Sequence, residues 1–112
     1  MIDISHKEIA SLKDYFERNP CPSNITRLRC SANQLTSLEG CPKNITALWC
    51  SYNLLTSLKG CSQNLKYIDC NNNQLTSLDG CPLNLEYLYC SNNQLTSLKG
   101  CPKNLEQLFC QM

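Results

Sequence analysis

The sequence predicts a solenoid of short parallel strands, opened by a capping helix. Three observations carry that prediction. Cysteines at 21, 30, 41, 50, 61, 70, 81, 90, 101 and 110 form two interleaved ladders, each recurring every twenty residues. All four glycines, Gly40, Gly60, Gly80 and Gly100, fall at one position of that period. Apolar residues keep one register through every copy, as Leu28 and Cys30 do in the first. A repeat this short buries its apolar side chains only by stacking on its neighbours, so function belongs on a surface and not in a deep pocket.

Residues 1–20 are expected to form the N-terminal capping helix. Ser5-His6-Lys7-Glu8 fits a capping box, Ile4 and Ile9 are spaced for the hydrophobic staple, and Ile9, Leu12 and Phe16 form one apolar stripe before Pro20. Such a helix would cover the open end of the first repeat. His6 then lies in its first turn, exposed.

Residues 21–112 divide into about five repeats, the last incomplete. Leu28 and Cys30, two apart, face inward on a strand, and their copies build a parallel sheet at about 4.8 Å spacing. Asn33, Asn53, Asn73 and Asn93 come where the chain leaves the strand, and their amides are placed to satisfy backbone groups and stack as a ladder. The glycines suggest a positive φ. Pro22, Pro42, Pro82 and Pro102 stiffen the return, whose length of about nine residues leaves little room for a helix, so the convex side is expected to be extended or polyproline-like. Glu39, Lys59, Asp79 and Lys99 alternate in sign at one position, which supports stacking weakly.

The spacing Ile25-x-x-Leu28-x-Cys30-x-x-Asn33-x-Leu35, copied at Ile45 to Leu55, Leu65 to Leu75 and Leu85 to Leu95, resembles the leucine-rich repeat in its 20-residue class. The run Asn-Gln-Leu-Thr-Ser-Leu at 33–38, 73–78 and 93–98 is similar to repeats of bacterial type III secreted effectors. Cysteine at the third strand position, with Gly-Cys-Pro in the return, looks more like the cysteine-bearing arrays of giant DNA viruses of amoebae. The resemblance runs from Cys21 to Met112. It implies a leucine-rich repeat solenoid with a concave sheet, acting as a non-enzymatic protein-interaction module that binds a protein segment on that face. Some effectors carry a ubiquitin ligase domain after the repeats, and nothing in this sequence corresponds to it.

Composition narrows the alternatives. A formal charge of +1 gives no basic field for a phosphate backbone, which argues against nucleic acid. The first residues contain no apolar stretch of secretory type, and no window approaches a membrane span. The expected location is therefore cytoplasmic, in a reducing intracellular compartment, with a host cell as one such setting. There, ten cysteines read as small buried hydrophobes more readily than as disulfides. No C-x-x-C occurs, so no metal site is expected; with one histidine and scattered carboxylates, no catalytic constellation or cofactor site is expected either.

The informative residues are those expected to point outward from the strands. Of one tryptophan, five tyrosines and two phenylalanines, Trp49, Tyr52, Tyr67, Tyr87, Tyr89 and Phe109 fall at outward strand or post-strand positions. Together with Arg29 and Asp69 they form the expected partner-binding set, because Trp, Tyr and Arg dominate binding hot spots. The competing explanation is that strands favour aromatics and stacked rings stabilise a sheet unaided. Five strands give a face on the order of 400–500 Å², below the roughly 800 Å² per partner of a standard interface, which suits a peptide or loop. Cys110-Gln111-Met112 follows the last expected strand with no further polar cap. The alternative expectation is therefore a structural subunit of a larger assembly that packs, or self-associates, through that edge.

Overall fold

A computed structural model describes residues 1–111; Met112, expected on the outward face, lies outside the described residues. The elements are β1 (Ile2–Asp3), α1 (Leu12–Arg18), β2 (Arg27–Arg29), β3 (Ala47–Trp49), β4 (Tyr67–Asp69), β5 (Tyr87–Tyr89) and β6 (Gln107–Phe109). The strands form one parallel sheet in chain order. Register is exact to the repeat, with Leu28, Leu48, Ile68, Leu88 and Leu108 as successive partners. Among the described residues, no helix is long and apolar enough to cross a membrane.

The core is a stack of leucine, isoleucine and cysteine columns. Leu28, Leu48, Ile68 and Leu88 are fully buried, as are Cys30, Cys50, Cys70 and Cys90 just past each strand. Hydrogen bonding continues beyond the strands: the Cys30, Cys50, Cys70 and Cys90 amides donate to Trp49, Asp69, Tyr89 and Phe109 carbonyls. Burial falls at the last strand, where Leu108 is 37% exposed against 0% for Leu88.

The asparagine ladder forms as the spacing predicts. Asn53 Oδ1 accepts from the Leu35 amide at 2.9 Å, and Nδ2 donates to the carbonyls of Cys30 and Cys50 at 3.1 Å each. Asn73 and Asn93 repeat this bonding one and two turns on. Each amide thus ties its own turn to the preceding one, in a position where unpaired backbone groups are costly.

The convex side contains no helix among the described residues, and turns take much of the place of the single extended run that the prolines suggested. Cys41, Cys61, Cys81 and Cys101 amides donate to Leu38, Leu58, Leu78 and Leu98 carbonyls. The third residue of each turn is glycine at φ 86 to 92°, the conformation a type II turn requires. A Cβ on Gly80 would stand 2.5 Å from the Lys59 nitrogen, so close stacking also excludes a side chain. Where the third repeat lacks proline, buried Ser62 donates to the carbonyls of Lys43 and Ile45, at 2.7 and 3.1 Å.

The N-terminal segment departs from its expected capping box. The helix starts at Leu12, its N-cap is Ser11, whose Oγ accepts from the Asp14 amide at 3.1 Å, and Ser5 instead donates its amide to Asp3 Oδ1. Tertiary bonds overrule the local signal. Ile4 donates to the Arg29 carbonyl and His6 to the Ser31 carbonyl, extending the sheet, while Asn33 Oδ1 accepts from the Lys7 and Ile9 amides. His6 and Glu8 consequently adopt φ near +59°, which no helix accommodates. Ile4, Ile9 and Leu12 still enter the core, with Phe16 packed against it, so the apolar residues cap the first repeat through a strand, a loop and a short helix.

Candidate functional site

The side chains that alternate with the buried leucines line the other face of the sheet. Because strands stack in register, their outward residues form two columns: Arg27, Ala47, Tyr67, Tyr87 and Gln107 in one; Asp3, Arg29, Trp49, Asp69, Tyr89 and Phe109 in the other. Asp69 interrupts the aromatics of the second column, and Tyr67 bridges the interruption diagonally. Its ring centroid is 5.1 Å from Trp49 and 5.5 Å from Tyr89. Tyr89 stacks on Phe109 at 5.0 Å with an interplanar angle of 4°. At the other end, the Arg29 guanidinium carbon lies 5.1 Å from the Trp49 ring centroid, within cation–π range. One chain of π contacts thus runs from Arg29 to Phe109, across five strands.

Polar groups fix the margin of this stripe. Tyr87, 6.4 Å from Tyr67 by ring centroid, donates its hydroxyl to Glu106 Oε2 at 2.7 Å, and Tyr89 donates to Gln107 Oε1 at 3.2 Å. The bond to Glu106, followed by that carboxylate's charge, raises the Tyr87 pKa. Burial, then the charge of Asp69, raises that of Tyr67. Asp69 is half-buried; loss of water pushes its carboxyl above the usual range, only partly offset by the Asn71 amide that donates to Oδ1.

Seven of the eight residues expected at the site join this face. Tyr52 does not join the ring chain: it follows the third strand at φ 56°, 63% exposed. Ala32, Asn72 and Asn92 hold the same backbone conformation, one that asparagine tolerates better than tyrosine. Asp3 and Glu106 belong to the site although sequence reasoning did not include them. The alternation Ile2-Asp3-Ile4 is the signal that could have placed Asp3 on a strand.

The cysteines face away from this surface. All ten are free thiols, and burial raises those in the core: Cys41 to about 11, Cys61 to about 12, with Cys50 and Cys70 well above the ordinary thiol range. Protonated, inaccessible thiols are poor nucleophiles and poor metal ligands. Among the described residues, no group of three or more His, Cys, Asp or Glu is placed to hold a metal ion.

A family model described as Leucine Rich Repeat matches residues 64–83 and 84–108. No curated protein matches the chain. The matched segments hold β4, β5 and the start of β6, and the same register, asparagine bonding and glycine turns extend back to the first repeat. The fold is a leucine-rich repeat solenoid, and residues 64–108 match the leucine-rich repeat family.

Proposed function

We propose that this protein binds a segment of another protein on its concave sheet face, with Arg29, Trp49, Tyr67, Asp69, Tyr87, Tyr89 and Phe109 as the contact surface. Leucine-rich repeats generally mediate protein–protein contact and are typically non-enzymatic. The observation that supports the finer reading is the unbroken π chain from Arg29 to Phe109, whose members are only partly buried within the protein itself. Rigid aromatic surface lowers the entropic cost of binding, and rings already fixed by their neighbours lower it further. A modest face suits a peptide or loop. Ten free thiols with a largely buried ladder fit a reducing, intracellular setting.

Replacing Trp49, Tyr67 and Tyr89 together by alanine tests the assignment. The affinity for an identified partner, measured by calorimetry, is expected to fall by about a hundredfold or more. Unchanged affinity would remove the binding role from this face.

A further inference from the structure

We propose that the Asp69 carboxylate, set among the rings of Trp49, Tyr67 and Tyr89, is a receptor for a cationic side chain, an arginine or lysine carried by the bound segment. This inference rests on the concave-face reading and names the chemistry that the face selects.

The row of register partners supplies its own precedent. Asp3, Arg29 and Trp49 are consecutive neighbours on β1, β2 and β3, and the Arg29 guanidinium lies over the indole ring. The Asp3 carboxyl is held down mainly by the Ser5 amide and further by the Arg29 charge. In that half of the row a carboxylate, a cation and an aromatic face stand together. Beyond Trp49 the row continues with Asp69 and Tyr89, while Tyr67 precedes Asp69 by two residues on the same face. A carboxylate again stands beside aromatic faces, here without a cation.

Local bonding leaves Asp69 ready for one. Its protein hydrogen bond among the described residues is the Asn71 amide at Oδ1, 3.1 Å away, and no nearby positive charge counters its desolvation. Arg29, the one cation of the row, rises from β2, two strands from Asp69, and is engaged over the Trp49 ring. A cation brought to Asp69 gains Coulomb attraction in a partly dehydrated site and the electron-rich faces of the surrounding rings, while cancelling an unfavourable buried charge. An anionic or purely apolar group would leave that charge uncompensated.

Trp49 is the single tryptophan of the chain, so its emission reports directly on this site. The probes are three short peptides, Ac-Ala-Xaa-Ala-NH2, with arginine, lysine or the neutral isostere citrulline at Xaa, titrated into the intact protein at millimolar concentrations. A saturable change of emission is expected with arginine or lysine, and binding at least about fivefold weaker with citrulline. D69N keeps an oxygen for the Asn71 amide and is expected to weaken the charged peptide by about fivefold while leaving citrulline unchanged. Equal response to citrulline, no saturable response to any peptide, or unchanged binding to D69N would each overturn the inference. Should the peptides fail to discriminate while alanine at Trp49, Tyr67 and Tyr89 still abolishes partner binding, only the cation receptor falls. Should partner binding survive that replacement, the concave-face reading falls with it.

Discussion

The two sides of each strand obey different rules. On the inner side, identity is nearly constant from repeat to repeat: leucine or isoleucine at the strand centre, cysteine after it, asparagine three residues on, glycine at the return. Each is dictated by geometry, whether a column packed at full burial, an amide that reaches three backbone groups, or a turn with positive φ. On the outer side, neighbouring strands carry Arg29, Trp49, Asp69, Tyr89 and Phe109 at one position. The fold leaves that position free, and what fills it is rich in the residue types that bind. Where stacking constrains, the repeat is monotonous; where it does not, the residues are available for function.

Breaking the inner rule should cost most. Asn53→Ala leaves the buried Leu35 amide without its acceptor and takes from the Cys30 and Cys50 carbonyls one of the two asparagine donors each receives, and is expected to destabilise by about 3–5 kcal/mol in chemical denaturation. The glycine turns give a graded version of the same test. Gly80→Ala places a Cβ 2.5 Å from the Lys59 nitrogen at φ 86°, and should cost about 2–4 kcal/mol. At Gly100 the nearest atom would be 3.4 Å away at φ 90°, so alanine there should cost only about 1 kcal/mol. Equal losses at the two glycines would show that backbone strain alone, and not stacking, fixes the residue.

The smallest effect is expected on the outer side and with opposite sign. Burial raises the Asp69 carboxyl in the folded protein, so the folded state holds that proton at pH values where the unfolded chain has released it. Ionised Asp69 therefore costs stability, a cost that appears as pH rises through the raised value and is absent below the ordinary carboxylate range. Asp69→Asn should stabilise the free protein by about 0.5 kcal/mol at neutral pH, a small figure because solvent screens a half-exposed group. Thermal melts of both proteins at neutral and acidic pH check the sign: the gain should disappear on acidification.

The inner side was legible in the sequence because a fixed period converts position into direction. Once Leu28 and Cys30 point inward, so do their copies, and Arg29, Trp49 and Asp69 must point outward. The N-terminal cap was not legible in the same way. Ser5 and Glu8 carry a genuine local capping signal, but Asn33 and the edge of β2 supply backbone partners to Ile4, His6, Lys7 and Ile9 that no local pattern reveals. The alternation Ile2-Asp3-Ile4 points to a strand, but it is short and stands beside the stronger capping signal. At the site, the period gave the columns and not the diagonals. That Tyr67 spans the break made by Asp69 depends on ring positions between columns, as does the placement of Arg29 over Trp49. Tyr52 holds an outward post-strand position of the period, yet the turn at φ 56° carries it out of the ring chain.

The division between a structural inner side and a binding outer side is tested most directly by the variant with alanine at Trp49, Tyr67 and Tyr89. Its unfolding midpoint and its affinity for an identified partner should be measured on the same preparation. The rings are partly exposed, so their loss should cost only about 1–2 kcal/mol of stability, while partner affinity falls by about a hundredfold or more. A variant that loses several times that stability yet binds the partner as tightly as the parent protein would contradict the account, and would make the aromatic stripe a part of the fold.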